Sequence, residues 1–206
     1  MKPHISIAVA GTALAASCAI AGSAQQPAAV PQNVDDGPRY ANGTNLIRPA
    51  NYREWIFLSS SLGLTYTPPG ARAAPPTFGN VFVNPSSYRR FMQTGTWPDR
   101  TIFVLEFRQA ATPAAANEDG RFQAAVTTVE AEVKDSRFPD GWAFFGFGAP
   151  GAAAEGVAPL SGDTVARCID CHTKHTAVER TFVQFYPTLL EVAKRLGTVK
   201  PNYTEP

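Results

Sequence analysis

The side chains that most often hold metals are nearly missing from this chain: of 206 residues, three are cysteine and three are histidine. That scarcity makes elimination effective, because few side chains can serve any one ligand role. Charge of one sign is missing too. Eighteen basic residues stand against 17 acidic ones with no basic block, which excludes a nucleic-acid binder working through a positive face. No hydrophobic run is long enough to span a bilayer, so no stable membrane anchor is expected. What the chain has in quantity is 16 glycines, 18 prolines and 13 phenylalanines within a hydrophobic content of 44%. The prolines exclude a mostly helical bundle, the apolar content excludes general disorder, and the length suits one turn-rich domain.

Met1 and Lys2 open the chain, an apolar stretch from Ile5 to Leu14 follows, and Ala21-Gly22-Ser23-Ala24 closes the segment. A basic start, a short apolar run and a small-residue exit describe a secretory signal peptide, here residues 1–24, and so export to the periplasm. Leu14-Ala15-Ala16-Ser17-Cys18 loosely resembles a lipoprotein box, but its leucine sits one place too early, so lipidation is not expected. Cleavage removes Cys18 and His4. The mature chain keeps Cys168, Cys171, His172 and His175, all close together in sequence.

Residues 25–44 are polar, bear Pro and Gly and lack periodicity, and read as a flexible arm ahead of a domain at 45–200, with 201–206 a tail. Asn51 to Leu58 reads as a short helix capped by Asn51. A loop at 68–76 precedes a strand from Phe78 to Val83. Asn84 as cap, Pro85 at the first helical position and Gly95 beyond the end bracket a helix over Ser86–Thr94. Thr101 to Arg108 alternates, with Thr101, Phe103, Leu105 and Phe107 on one face and Ile102, Val104, Glu106 and Arg108 on the other. Phe122 to Lys134 alternates as well, Val129, Ala131 and Val133 falling opposite a more polar face. Trp142 to Phe147 is aromatic on both faces and so buried on both. Asp163 caps a helix carrying the cysteines, and Pro187 to Leu196 forms a last helix ended by Gly197. The fold class is α+β: a single domain rich in antiparallel β-sheet, with peripheral helices and the cysteine-bearing helix near the C-terminus.

Cys168-Ile169-Asp170-Cys171-His172 is a C-x-x-C-H sequence. Two thiols three residues apart at a helix start can each add to one vinyl group of a haem, and the following imidazole then ligates the iron. One covalent haem c per chain, on Cys168 and Cys171 with His172 as iron ligand, is the cofactor expected. Other readings fit less well. A redox C-x-x-C normally follows a strand in a βαβ unit, a zinc site would have to wrap one helical turn around a tetrahedral ion, and a disulfide of this span would be strained.

The opposite face of the iron is short of candidates. His175 lies on the same side as His172. Met92, at i+4 from Tyr88, has the spacing of a core-facing stripe. Ligation by Lys134, Lys174, Lys194 or Lys200 would need a depressed pKa. Five-coordinate iron is therefore expected, behind apolar residues drawn from Phe78, Phe103, Leu105 and Phe107, which favours NO or CO as ligand. Two alternatives stand beside gas capture, carriage or sensing. A low-spin electron carrier would use Met92 as sixth ligand and an unknown redox partner. An oxidoreductase acting on small nitrogen compounds, or a weak peroxidase, is the other. Peroxide chemistry needs a distal acid–base pair, and its candidates, Glu106 and Arg108, fall opposite Leu105 on what reads as a solvated strand face.

A longer pattern surrounds the motif. Asn51-Tyr52-Arg53-Glu54-Trp55, Val81-Phe82-Val83-Asn84-Pro85, Thr94-Gly95-Thr96-Trp97-Pro98-Asp99, Val129 to Asp135, Gly141-Trp142-Ala143-Phe144-Phe145 and Thr181-Phe182-Val183-Gln184-Phe185-Tyr186-Pro187 occur in order. Together they resemble the cytochrome P-460 family, which includes the cytochromes c′-beta. The resemblance implies a periplasmic, sheet-rich mono-haem protein with five-coordinate iron, commonly dimeric, so a homodimer is also an expectation. Members that oxidise hydroxylamine carry a lysine bonded to the haem edge. Its place falls at Leu105 here, and no lysine occurs from Thr101 to Arg108. The resemblance therefore points to the c′-beta branch, whose members bind NO and CO beneath apolar caps, here Phe78 with Phe103 or Phe107.

Overall fold

The computed structural model describes residues 35–64, 75–112, 119–151 and 156–204. The expected signal segment, the arm as far as residue 34 and most of the loop at 68–76 lie outside them. The folded unit begins at Asp35 rather than near Asn45, because the last part of the expected arm is tied down. Tyr40–Ala41 (β1) pairs with Asn45–Leu46 (β2) across a turn in which Asn42 and Gly43 both take positive φ, a conformation these two residue types tolerate best.

The main sheet is a five-stranded antiparallel meander of β3 (Ile56–Leu62), β4 (Thr77–Val83), β5 (Thr101–Ala111), β6 (Phe122–Lys134) and β7 (Trp142–Gly148), in that spatial order. The helix expected at 51–58 shrinks to a 3₁₀ turn, Tyr52–Glu54, and the chain then enters β3. Pairing of Ile56 to Leu62 along β4 supplies a backbone ladder that a two-turn helix there would forgo. α1 (Pro85–Thr94) joins β4 to β5, and α2 (Gly162–Lys174) and α3 (Pro187–Leu196) follow the sheet.

Asn84 occupies the N-cap position of α1 but does not cap with its side chain. Its amide oxygen accepts from the Ile102 N–H at 3.0 Å, stitching the helix start to β5. Asp36 caps in its place, accepting from the Ser86 N–H at 2.8 Å, and its negative charge suits a helix N-terminus. At the other end Gly95 takes φ +70°, and a Cβ there would meet Thr198 Oγ1 at 2.5 Å, so the closing turn requires glycine.

Alternation along the strands divides the core into two clusters. Ile102, Val104, Val129, Val133, Phe145 and Phe147 fill one face of the sheet with Leu46, Tyr52 and Phe138. Val83 and Phe103 of the other face pack with Phe91 of α1, Trp97 of the α1–β5 connection, Val183 after α2 and Leu189 of α3. Trp97 is the pivot of this second cluster. It is 2% exposed, contacts the rings of Phe91 and Phe103, and donates from Nε1 to Thr181 Oγ1 at 2.9 Å. Trp97→Ala should cost about 3–5 kcal/mol of unfolding free energy, measured by urea denaturation of the full chain. A loss under about 1 kcal/mol would contradict this role.

Candidate functional site

α2 differs from the other helices in burying none of its residues. Val165, Cys168, Ile169 and His172 follow the i, i+3, i+4, i+7 spacing of an apolar stripe, yet all are only half-buried. Cys168, Cys171 and His172 instead line a cavity of about 640 Å³, a size in the range of small-molecule and cofactor sites. The facing wall comes from the sheet: Ser59 to Ser61 of β3, Gly79 and Val81 of β4, Leu105 and Phe107 of β5, and Glu130 of β6. Thr77, Phe182, Phe185, Tyr186, Arg167 and Leu64 complete the lining.

His172 is held on several sides. Its ring meets Phe144 of β7 and Phe182 edge-on, each at 4.9 Å between centroids. Nδ1 lies 2.7 Å from the carbonyl oxygen of Arg180 and 3.1 Å from Glu132 Oε1. Both neighbours are acceptors, so Nδ1 carries the hydrogen and Nε2 keeps the free lone pair. That is the arrangement found around metal-ligating histidines. Burial opposes the charged imidazole, but Glu132 and the Arg180 carbonyl outweigh it and raise the pKa of His172. Among the described residues no three of His, Cys, Asp and Glu are grouped to hold a metal ion.

Cys168 and Cys171 are unpaired. Burial pushes both thiols up, aided by the charge of Glu130 at Cys168 and of Asp170 at Cys171. A disulfide oxidoreductase needs the opposite, a thiol pushed down. Two neutral thiols and an imidazole with a free Nε2, all on the rim of one cavity, are a donor set that fits a haem.

Of the four residues expected behind the iron, Leu105 and Phe107 line the cavity. Phe103 points to the same side of β5 but is consumed by the second core, edge-on against Trp97. Phe78 requires a correction. Gly79, Val81 and Val83 of β4 face the site side, so Phe78 falls with Asn80 and Phe82 on the other face, where Phe82 contacts Tyr52. Met92 packs against the second core and is not among the lining residues. Nor is any described lysine. Lys134 bonds Glu179 and the Trp97 carbonyl, Lys174 pairs with Asp170, Lys194 with Glu191, and Lys200 bonds Thr173 and Thr176. His175 closes α2 and is exposed.

Two acidic residues escaped the sequence reading. The polar face of β6 turns toward the site, bringing Glu130 beside Leu105 and Glu132 beside Phe103 in register. Glu130 opens into the cavity and stays solvent-exposed, and partial desolvation by the surrounding walls pushes its carboxyl up. The signal was the alternation itself, which fixes two faces without saying which of them meets solvent.

Glu106 and Arg108 do share the face opposite Leu105, but Glu106 is not solvated. It is 2% exposed and bonded by Tyr52, Arg53 and Arg108. Burial pushes its carboxyl up, and the hydrogen bonds from Arg108, Tyr52 and Arg53 outweigh burial and hold it below the ordinary range. Remote from the cavity, the group fastens the 52–54 turn to β5.

A family model described as Cytochrome P460 matches residues 49–183, a span that takes in the whole five-stranded sheet and α2. No curated protein matches the chain. The chain belongs to the cytochrome P460 family, and a haem cofactor follows from that membership.

The Glu106 network sets a pH dependence. The unfolded chain takes up this proton at a higher pH than the folded one. The stability Glu106 contributes is therefore complete above about pH 5 and is lost as pH falls through the carboxylate range near 4 and below. Glu106→Gln should cost about 2–3 kcal/mol at pH 7, less than a fully buried pair because Arg53 is half-exposed. It should also flatten the acid limb of stability against pH, read from denaturation midpoints between pH 7 and 3. An unchanged acid limb would contradict the assignment.

Proposed function

We propose that this cytochrome P460 family member is an exported, periplasmic mono-haem c protein that captures NO or CO for carriage or sensing, as the cytochromes c′-beta do. Cys168 and Cys171 would hold the haem covalently and His172 would ligate its iron. When bound, the haem would supply an iron able to take a small diatomic ligand.

The observation that carries this reading is the composition of the cavity wall facing α2. Gly79, Val81, Leu105 and Phe107 offer neither thioether, imidazole nor amine, and Met92 and the described lysines are engaged elsewhere. Leu105 occupies the position of the cross-linking lysine of the hydroxylamine-oxidising members, and leucine has no nitrogen to form that bond. Leu105 and Phe107 themselves give a polar ligand no hydrogen bond, the hydroxyls and charges of the cavity coming from Ser59 to Ser61, Thr77, Glu130 and Arg167. His172, held at Nδ1, presents Nε2 without needing to reorient.

Glu130 favours a second reading, an oxidoreductase acting on hydroxylamine or nitric oxide. Its exposed carboxyl lines the cavity beside Leu105, where it can take up or release a proton. An apolar cap alone provides no such group.

The test uses mature protein from a host able to attach haem. Acid–acetone extraction should leave the pigment on the wild-type chain and strip it from the Cys168→Ala/Cys171→Ala double variant. The reduced spectrum should be high-spin and shift with one equivalent of CO or NO. A reduced spectrum indifferent to both gases would contradict the proposal. Glu130→Gln should alter CO affinity by less than about threefold under the first reading. Under the second reading it should abolish reduction of the protein by hydroxylamine.

A further inference from the structure

Glu132 lies on β6 facing α2 and is 6% exposed. Its cross-strand neighbours on that face, Phe103 and Phe144, offer it no charge and no hydrogen bond, and burial pushes its carboxyl up against the opposing pull of His172 and the Arg180 guanidinium. Oε1 stands 3.1 Å from His172 Nδ1 but off the axis of a hydrogen bond, and no other protein group satisfies it. The Nδ1 hydrogen is aimed instead at the Arg180 carbonyl, at 2.7 Å.

Two acceptors thus crowd one N–H, and they are not redundant. The Arg180 carbonyl is enough to fix the ring and its tautomer, so orientation does not require a carboxylate. A carboxylate among phenyl rings is costly unless a positive partner offsets it. A coordinated imidazole is such a partner, because binding a cation at Nε2 draws electron density from the ring, and a carboxylate at Nδ1 restores it.

We propose that Glu132 is a positioning residue acting through His172. It is the counter-charge that strengthens imidazole as a donor and stabilises oxidised iron relative to reduced. The division is then clear: the Arg180 carbonyl sets the geometry, and Glu132 sets the charge. This rests on the haem reading proposed above.

Three forms of the haem-loaded full chain test it: wild type, Glu132→Gln and Glu132→Asp. Haem content is measured by the pyridine haemochrome assay, the midpoint potential by spectroelectrochemistry, and the iron–histidine stretch by resonance Raman on the reduced protein. Glu132→Gln should keep its haem, shift the midpoint positive and lower the stretching frequency. Glu132→Asp, which keeps the charge, should lie closer to wild type on both. A haem-bearing Glu132→Gln with unchanged potential and stretch would overturn the inference and leave the haem reading standing. Should Glu132→Gln fail to fold, the wild-type stretch decides. A frequency above the range of imidazoles bonded only to a carbonyl supports the proposal, and one within that range overturns it. A wild type without haem would overturn the haem reading and this inference together.

Discussion

The hold on His172 is the constraint from which the site follows. An imidazole on a helix that buries none of its own residues has no reason to keep one orientation unless neighbours impose it. They do so from β7, through the Phe144 ring, and from the segment after α2, through Phe182 and the Arg180 carbonyl. That segment is itself fixed by hydrogen bonds, the Trp97–Thr181 one fully buried. Thr176 Oγ1 donates within 2.9 Å of the Glu179 carbonyl, Thr181 receives the Trp97 indole, and Glu179 pairs with Lys134 of β6. The large aromatic core around Trp97 thereby transmits its rigidity to one ring nitrogen.

The sheet separates structural from chemical work by its two faces. On one, Glu106 spends its charge on Arg53, Arg108 and Tyr52, joining the 52–54 turn to the central strand. On the other, Leu105 and Phe107 present apolar surface to the cavity while Glu130 and Glu132 place carboxyls near it. Residues adjacent in sequence, such as Leu105 and Glu106, therefore serve unrelated ends, a direct result of the two-residue period of a strand.

Much of this was legible in the sequence where local chemistry is decisive. Pro85 and Gly95 bracketed α1, Pro187 and Gly197 bracketed α3, and alternation marked β5 and β6. The C-x-x-C-H run singled out α2, whose Cys168, Cys171 and His172 line the cavity. Legibility ended where tertiary pairing overrides local pattern. Asn51 to Leu58 reads as one short helix, yet β4 recruits its last part, from Ile56, as an edge strand. Phe78 looked like a cavity residue by composition, and only strand parity assigns it to the far face. Glu130 and Glu132 escaped for a related reason: a polar strand face is ordinarily the wet one, and here it looks onto a cofactor-sized cavity.

The central claim is that a single imidazole from this chain ligates the iron and that no second side chain reaches it. Electron paramagnetic resonance of the oxidised, haem-loaded protein tests this most directly. A high-spin ferric signal, as expected for iron without a strong second protein ligand, is the result the account predicts. A low-spin signal from a thioether or amine at the sixth position would contradict it.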